Sequence, residues 1–198
     1  MKNICIWGDS ITEGYFDTEG GWVDRFKRYS WQKYGEESDG IYNLGVSGDT
    51  SKDLLKRFKV ESQTRQPDLA IIAIGINDSL YFNGQPELCQ TSQKDFQRNL
   101  QELVNFFAIR SRIEIIFIGL TPVIDDQVQP IPWASNKYYA NDVIVQYDQI
   151  IQKVAQENNC RYCYLYDLLK PTDLSDGLHP NNHGHQKIFE KVKEFLGF

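Results

Sequence analysis

The sequence predicts an α/β fold: a three-layer α/β/α sandwich around a five-stranded parallel sheet. Three observations predict it. Five short apolar runs alternate with five amphipathic segments along the chain, the pattern of repeated strand–helix units. Two runs, Leu69–Ile74 and Ile113–Ile118, are apolar almost without interruption, as strands covered on both faces require. Right-handed crossovers then leave few topologies, and 2-1-3-4-5 is a common order for five strands.

The elements follow in order. Strands are expected at about Asn3–Trp7, Ile41–Leu44, Leu69–Ile74, Ile113–Ile118 and Tyr162–Tyr166. After the first strand, Trp22, Val23, Phe26 and Tyr29 share one helical face; after the second, Leu54, Leu55 and Phe58 do. Phe96, Leu100, Leu103, Val104 and Phe107 form the third apolar stripe, with Thr91, Ser92 and Asp95 as its start signals. Val143, Tyr147, Ile150, Ile151 and Val154 form the fourth, and Ile188, Phe189, Val192 and Phe195 the fifth. The connection from Thr121 to about Lys137 carries Pro122, Pro130 and Pro132 without periodicity, and so long a loop in a compact domain is usually functional or mobile.

At 198 residues the chain fits one domain, residues 1–198. Its 41% apolar and 24% charged content excludes disorder and fibrous repeats. A net charge of −6 lacks the footprint that phosphate backbones demand, so no nucleic-acid partner is expected. No apolar run approaches the ~20 residues of a membrane helix, and Met1-Lys2-Asn3 leads straight into a strand. A cytoplasmic protein is expected, with no stable membrane association and with its oligomeric state left open. Cys160 and Cys163 form C-x-x-C inside a strand-like run; no second pair completes a zinc site, so a structural role is expected. Cys5 reads as a small buried apolar residue.

In an open parallel sheet, ligands bind beyond the carboxyl ends of the strands. Three segments just after strands carry chemistry, G-D-S-I-T-E-G (Gly8–Gly14), N-L-G-V-S-G-D-T (Asn43–Thr50) and G-I-N-D (Gly75–Asp78), and before the last helix lies D-G-L-H-P-N (Asp176–Asn181). An order of 2-1-3 makes the first three neighbours. Ser10 offers a hydroxyl, Gly48 a backbone N–H free of any side chain, and Asn77 an amide donor. Asp176 and His179 stand three apart, close enough for a carboxylate to orient an imidazole. A serine nucleophile needs such an oriented base, and the developing oxyanion needs two or three fixed donors. Asp9 and Asp78 read as local hydrogen-bond holders of their turns, and Asp49 or Thr50 as a helix N-cap.

These four segments resemble the four blocks of the SGNH hydrolases, also called the GDSL esterase family, in family order and over nearly the whole chain. The resemblance implies Ser10 as nucleophile, His179 as base and Asp176 as the third triad member, with Ser10, Gly48 and Asn77 forming the oxyanion hole. It implies a carboxylic (thio)ester hydrolase acting on a small acyl ester, with no cofactor and no metal. Ile11 replaces the family's leucine, a conservative apolar change. Short acyl groups are expected, because the chain shows no basic amphipathic helix and its charge is repelled by anionic lipid. The long loop is polar in its middle, while Val123, Ile124, Val128, Ile131 and Trp133 are its candidates for an acyl groove, and Tyr138 and Tyr139 border it.

Two other readings compete. A flavin- or nucleotide-binding module with a flavodoxin-like sheet gives Ser10 and Thr12 a phosphate to cradle, but leaves Asp176 and His179 idle. A hydrolase fold that binds without turnover has no use for an intact Ser10, Asn77 and His179. The only other histidines, His183 and His185, stand near His179; Pro180 prevents His179 and His183 from sharing one helix as a metal pair, and His185 is expected to pack or bond locally.

Overall fold

The structure, a computed structural model, describes residues 1–108 and 113–198. Its elements in chain order are β1 (Asn3–Gly8), α1 (Ser10–Glu13), α2 (Gly21–Tyr34), β2 (Gly40–Gly45), α3 (Ser51–Arg65), β3 (Leu69–Ala73), β4 (Tyr81–Phe82) and β5 (Gln85–Cys89). They continue with α4 (Gln93–Ala108), β6 (Glu114–Ile118), α5 (Asp125–Val128), β7 (Lys137–Tyr138), α6 (Asn141–Glu157), β8 (Arg161–Cys163) and α7 (Asn182–Leu196).

The main sheet is parallel throughout, in the order β2-β1-β3-β6-β8. Counting its own strands, this is the expected 2-1-3-4-5. Side-chain alternation divides the core into two layers. Cys5, Trp7, Ala70, Ile72, Ile115 and Phe117 face α3, α4 and α6, meeting Phe58, Leu100 and Tyr147. Ile4, Ile6, Leu69, Ile71, Ile116 and Ile118 face α2 and α7, meeting Trp22, Phe26 and Ile188. The period of two in each strand thus sorts one apolar run into two helix-covered faces.

Three features depart from the sequence reading. The last strand spans Arg161–Cys163 rather than Tyr162–Tyr166, because it pairs only with Ile116–Ile118 before a turn in which the Leu168 N–H reaches the Leu165 carbonyl. A second, three-stranded antiparallel sheet, β5-β4-β7, lies outside the main one. Its hairpin turns at Asn83-Gly84, both at positive φ, the geometry that an Asn-Gly turn favours. The long loop is also fastened. Asn141 Nδ2 donates to the Val123 carbonyl at 2.9 Å and to Asp125 at 2.8 Å, the Ile124 N–H reaches the Gly177 carbonyl at 2.8 Å, and Val128 is fully buried. All four cysteines are free thiols. Among the described residues, no helix is long and apolar enough to cross a membrane.

Candidate active site

Strand β1 ends at Gly8, where a Cβ would lie 2.1 Å from Thr12 Oγ1 and 2.5 Å from the Ala73 carbonyl oxygen. Only glycine lets the chain turn that tightly against β3. Asp9 follows as the N-cap of α1, its carboxylate accepting the Ile11 N–H at 3.0 Å. Asp9 thus fills the cap position itself. Ser10 becomes the first helical residue, with a backbone N–H that has no intrahelical acceptor. Its side chain is free for other work.

Ser10 Oγ lies 2.9 Å from His179 Nε2, and His179 Nδ1 lies 2.7 Å from Asp176 Oδ2. Both Ser10 and His179 are buried, at 6% exposure each. The other Asp176 oxygen accepts the backbone N–H groups of Leu178 and His179 at 3.0 and 2.7 Å. One carboxylate thus shapes the turn and receives the imidazole, so Nδ1 carries the proton and Nε2 is left as acceptor for the serine hydroxyl. Burial pushes the Asp176 carboxyl up, but the hydrogen bonds from the His179 side chain and backbone outweigh it and hold the group below its ordinary range.

Asn77 does not bond its own backbone. Its Nδ2 donates to the Asp49 carbonyl at 3.0 Å, and its Oδ1 accepts the Tyr139 hydroxyl at 2.8 Å. Those two contacts fix which end of the amide is donor. Gly48 sits at φ +82°, with no atom within 4 Å of the place a Cβ would take. Asp78 departs from the local role expected of it: it accepts the Ser51 N–H and hydroxyl at 2.8 and 2.6 Å, tying the loop after β3 to the start of α3. Thr50 caps α3 in a reciprocal capping box with Asp53.

Ser10, Gly48, Asn77 and His179 line one cavity of about 380 Å³, within the ordinary range of small-molecule sites. Its rim is aromatic. The rings of Tyr15, Phe16 and Trp133 stand 5.0, 5.7 and 6.1 Å from the imidazole, and each is about half exposed. Phe16 holds this position at φ +64°, a strained setting for a bulky side chain. Of the loop residues expected to form a groove, Ile131 and Trp133 line the cavity, as does the bordering Tyr139, whereas Val123 and Val128 pack in the core, Ile124 packs against it, and the bordering Tyr138 stacks on Tyr81. Tyr15, Phe16, Leu80 and Lys137 were not foreseen, since nothing in their spacing reports exposure.

The remaining histidines lie apart from the cavity lining. His183 Nδ1 is 2.8 Å from Asp173, which also holds Lys187. His185 is wholly buried, and burial lowers it to about 4 against an opposing upward pull from Asp17 and the Tyr15 backbone. Among the described residues no group of three or more His, Cys, Asp or Glu is placed to hold a metal ion.

Fold and family together define an esterase of the acylhydrolase class. The chain belongs to the GDSL-like lipase/acylhydrolase family, whose model matches residues 6–187, the family whose four blocks the sequence carries. A lipase/acylhydrolase from Enterococcus faecalis superposes with a TM-score of 0.79 at 25% identity, over 99% of this chain and 95% of that one. Axe2, an acetylxylan esterase from Geobacillus stearothermophilus, gives 0.76 at 21% identity, over 100% and 94%. In sequence, an acetylxylan esterase from the same organism is 23% identical over 100% of this chain and 94% of its own.

Proposed function

We propose that the chain hydrolyses small carboxylic esters and thioesters through an acyl-enzyme on Ser10. His179 Nε2 takes the hydroxyl proton as Ser10 Oγ attacks the carbonyl carbon, and Asp176 holds the imidazole and stabilises its charged form. The carbonyl oxygen becomes an oxyanion facing the N–H groups of Ser10 and Gly48 and the Nδ2 of Asn77. Collapse expels the alcohol or thiol, which leaves with the proton from His179. Water then enters, gives a proton to His179 and attacks the acyl carbon, and the acid departs as Ser10 Oγ regains its hydrogen.

The observation that carries this reading is the continuous line from Ser10 Oγ through His179 to Asp176, 2.9 and 2.7 Å in its two links, at the wall of the cavity. Catalytic mutants of Axe2 replace a serine, an aspartate and a histidine, which supports the assignment. Its name, and that of the curated relative, also support an acetyl or similarly short acyl group. The fastened loop favours the same size class, since a lipid-covering lid has to swing.

The test is kcat/KM for acetyl, butyryl, octanoyl and palmitoyl nitrophenyl esters, below and above their solubility limits, with Ser10→Ala as control. Acetyl and butyryl esters are expected to be the best substrates, and Ser10→Ala to be inactive on all four. A rate climbing steadily toward palmitoyl, or jumping when an interface forms, contradicts the short-chain reading.

A further inference from the structure

Lys137 is the one fixed cation among the residues lining the cavity, and among the described residues no carboxylate lines it. The side chain is half-buried. Lys137, like several surface lysines, has no acid partner among the described residues, but it alone of the lysines lines the cavity. The acids just behind the wall are already committed. Asp49 pairs with Arg57 at 2.7 Å, Asp176 serves His179, Asp9 caps α1, and Asp78 holds Ser51.

The backbone around Lys137 is held. Strand β7 pairs Lys137 with Phe82 of β4, the Ile131 N–H reaches the Lys137 carbonyl at 2.9 Å, and the Lys137 N–H reaches the Ala134 carbonyl at 3.1 Å. This closed loop also carries Trp133, whose ring stands over the imidazole that returns a proton to the leaving alcohol. We propose that Lys137 forms a subsite for an anionic group, carboxylate or phosphate, on the alcohol portion of the substrate. The proposal rests on the ester-hydrolase reading above for what counts as the alcohol portion.

The net charge of −6 does not oppose it. Fields from exposed charges are screened over about 8 Å at physiological salt, while a lysine in the cavity wall acts at contact. The plain alternative is that the lysine stem only covers apolar wall. Lys137→Met keeps such a stem and removes the charge, so it separates the two.

The experiment is calorimetric binding of amide analogues, which are not turned over, to the Ser10→Ala protein. The probes are para-acetamidobenzoate, para-acetamidophenyl phosphate and the neutral methyl para-acetamidobenzoate. At least one anion is expected to bind about fivefold or more tightly than the neutral probe. Adding Lys137→Met should bring the ratio to about one, while Lys153→Met leaves it standing. Equal affinities, a preference that survives Lys137→Met, or no binding of any probe overturns the subsite. Hydrolysis decides the underlying reading separately: if Ser10→Ala still cleaves methyl para-acetoxybenzoate, the ester mechanism falls, whatever the binding ratios show.

Discussion

Asn77 gains its direction from a residue that no motif names. The Tyr139 hydroxyl, in the cavity wall, donates to Oδ1, and the Asp49 carbonyl takes one N–H of Nδ2. One amide hydrogen is left over, and in the proposed mechanism it is the one that meets the oxyanion forming on the substrate carbonyl. Asn77→Ala is expected to lower kcat by about 10²–10³ with a much smaller change in KM, because the donor acts mainly on that charge. Tyr139→Phe should lower kcat less, again with KM nearly constant, since it removes only the group that orients the amide. Steady-state kinetics of both variants on one acetyl ester check this. Effects confined to KM would make Asn77 a substrate holder and Tyr139 a wall residue. Ser10 and Asn77 were legible because each was the right chemistry just after a strand, and Asp176 and His179 because a serine nucleophile needs a base and a carboxylate three residues apart can orient one. Tyr139 was legible only as a loop aromatic, because its partner lies 62 residues away.

The short helix α1 owes its start to Asp9, a carboxyl that is 3% exposed. Burial raises it to about 7, against the pull of the Ile11 N–H and of His179. In an unfolded chain the same group titrates near 4. The folded state therefore keeps a proton that the unfolded state releases, so this stability is full below about pH 4 and is lost as pH rises through about 7. Asp9→Asn keeps an acceptor for Ile11 and removes the titration. Urea unfolding across that window should show a downward slope in the parent that is shallower in the variant. Equal slopes would contradict it. At this scale the helices and main strands were readable from apolar spacing, and the Ser92–Asp95 start signal is present, with the Asp95 N–H on the Ser92 hydroxyl at 3.2 Å. The hairpin at Asn83-Gly84 carried a recognisable turn pair but strands too short for periodicity. The 121–137 loop looked free because its fasteners, Asn141 and Gly177, lie outside it.

Across the whole molecule, strand order makes the site. The order β2-β1-β3 sets Gly48, Ser10 and Asn77 side by side on one sheet edge, and the segment before α7 brings His179 and Asp176 to them from the far end of the chain. The first juxtaposition follows from fold rules alone. The second could be read only from the chemistry that a serine nucleophile needs, because no local pattern says where that segment packs. The rim of Tyr15, Phe16, Trp133 and Lys137 depends on loop paths and backbone strain, which leave little trace in spacing. What unites these parts is the claim that Ser10 is the nucleophile. The most direct test is treatment with a fluorophosphonate, which traps an activated serine, followed by intact-mass and peptide analysis. A single adduct on Ser10, absent from Ser10→Ala, is the expected result; an adduct on another serine, or equal labelling of Ser10→Ala, would contradict the account.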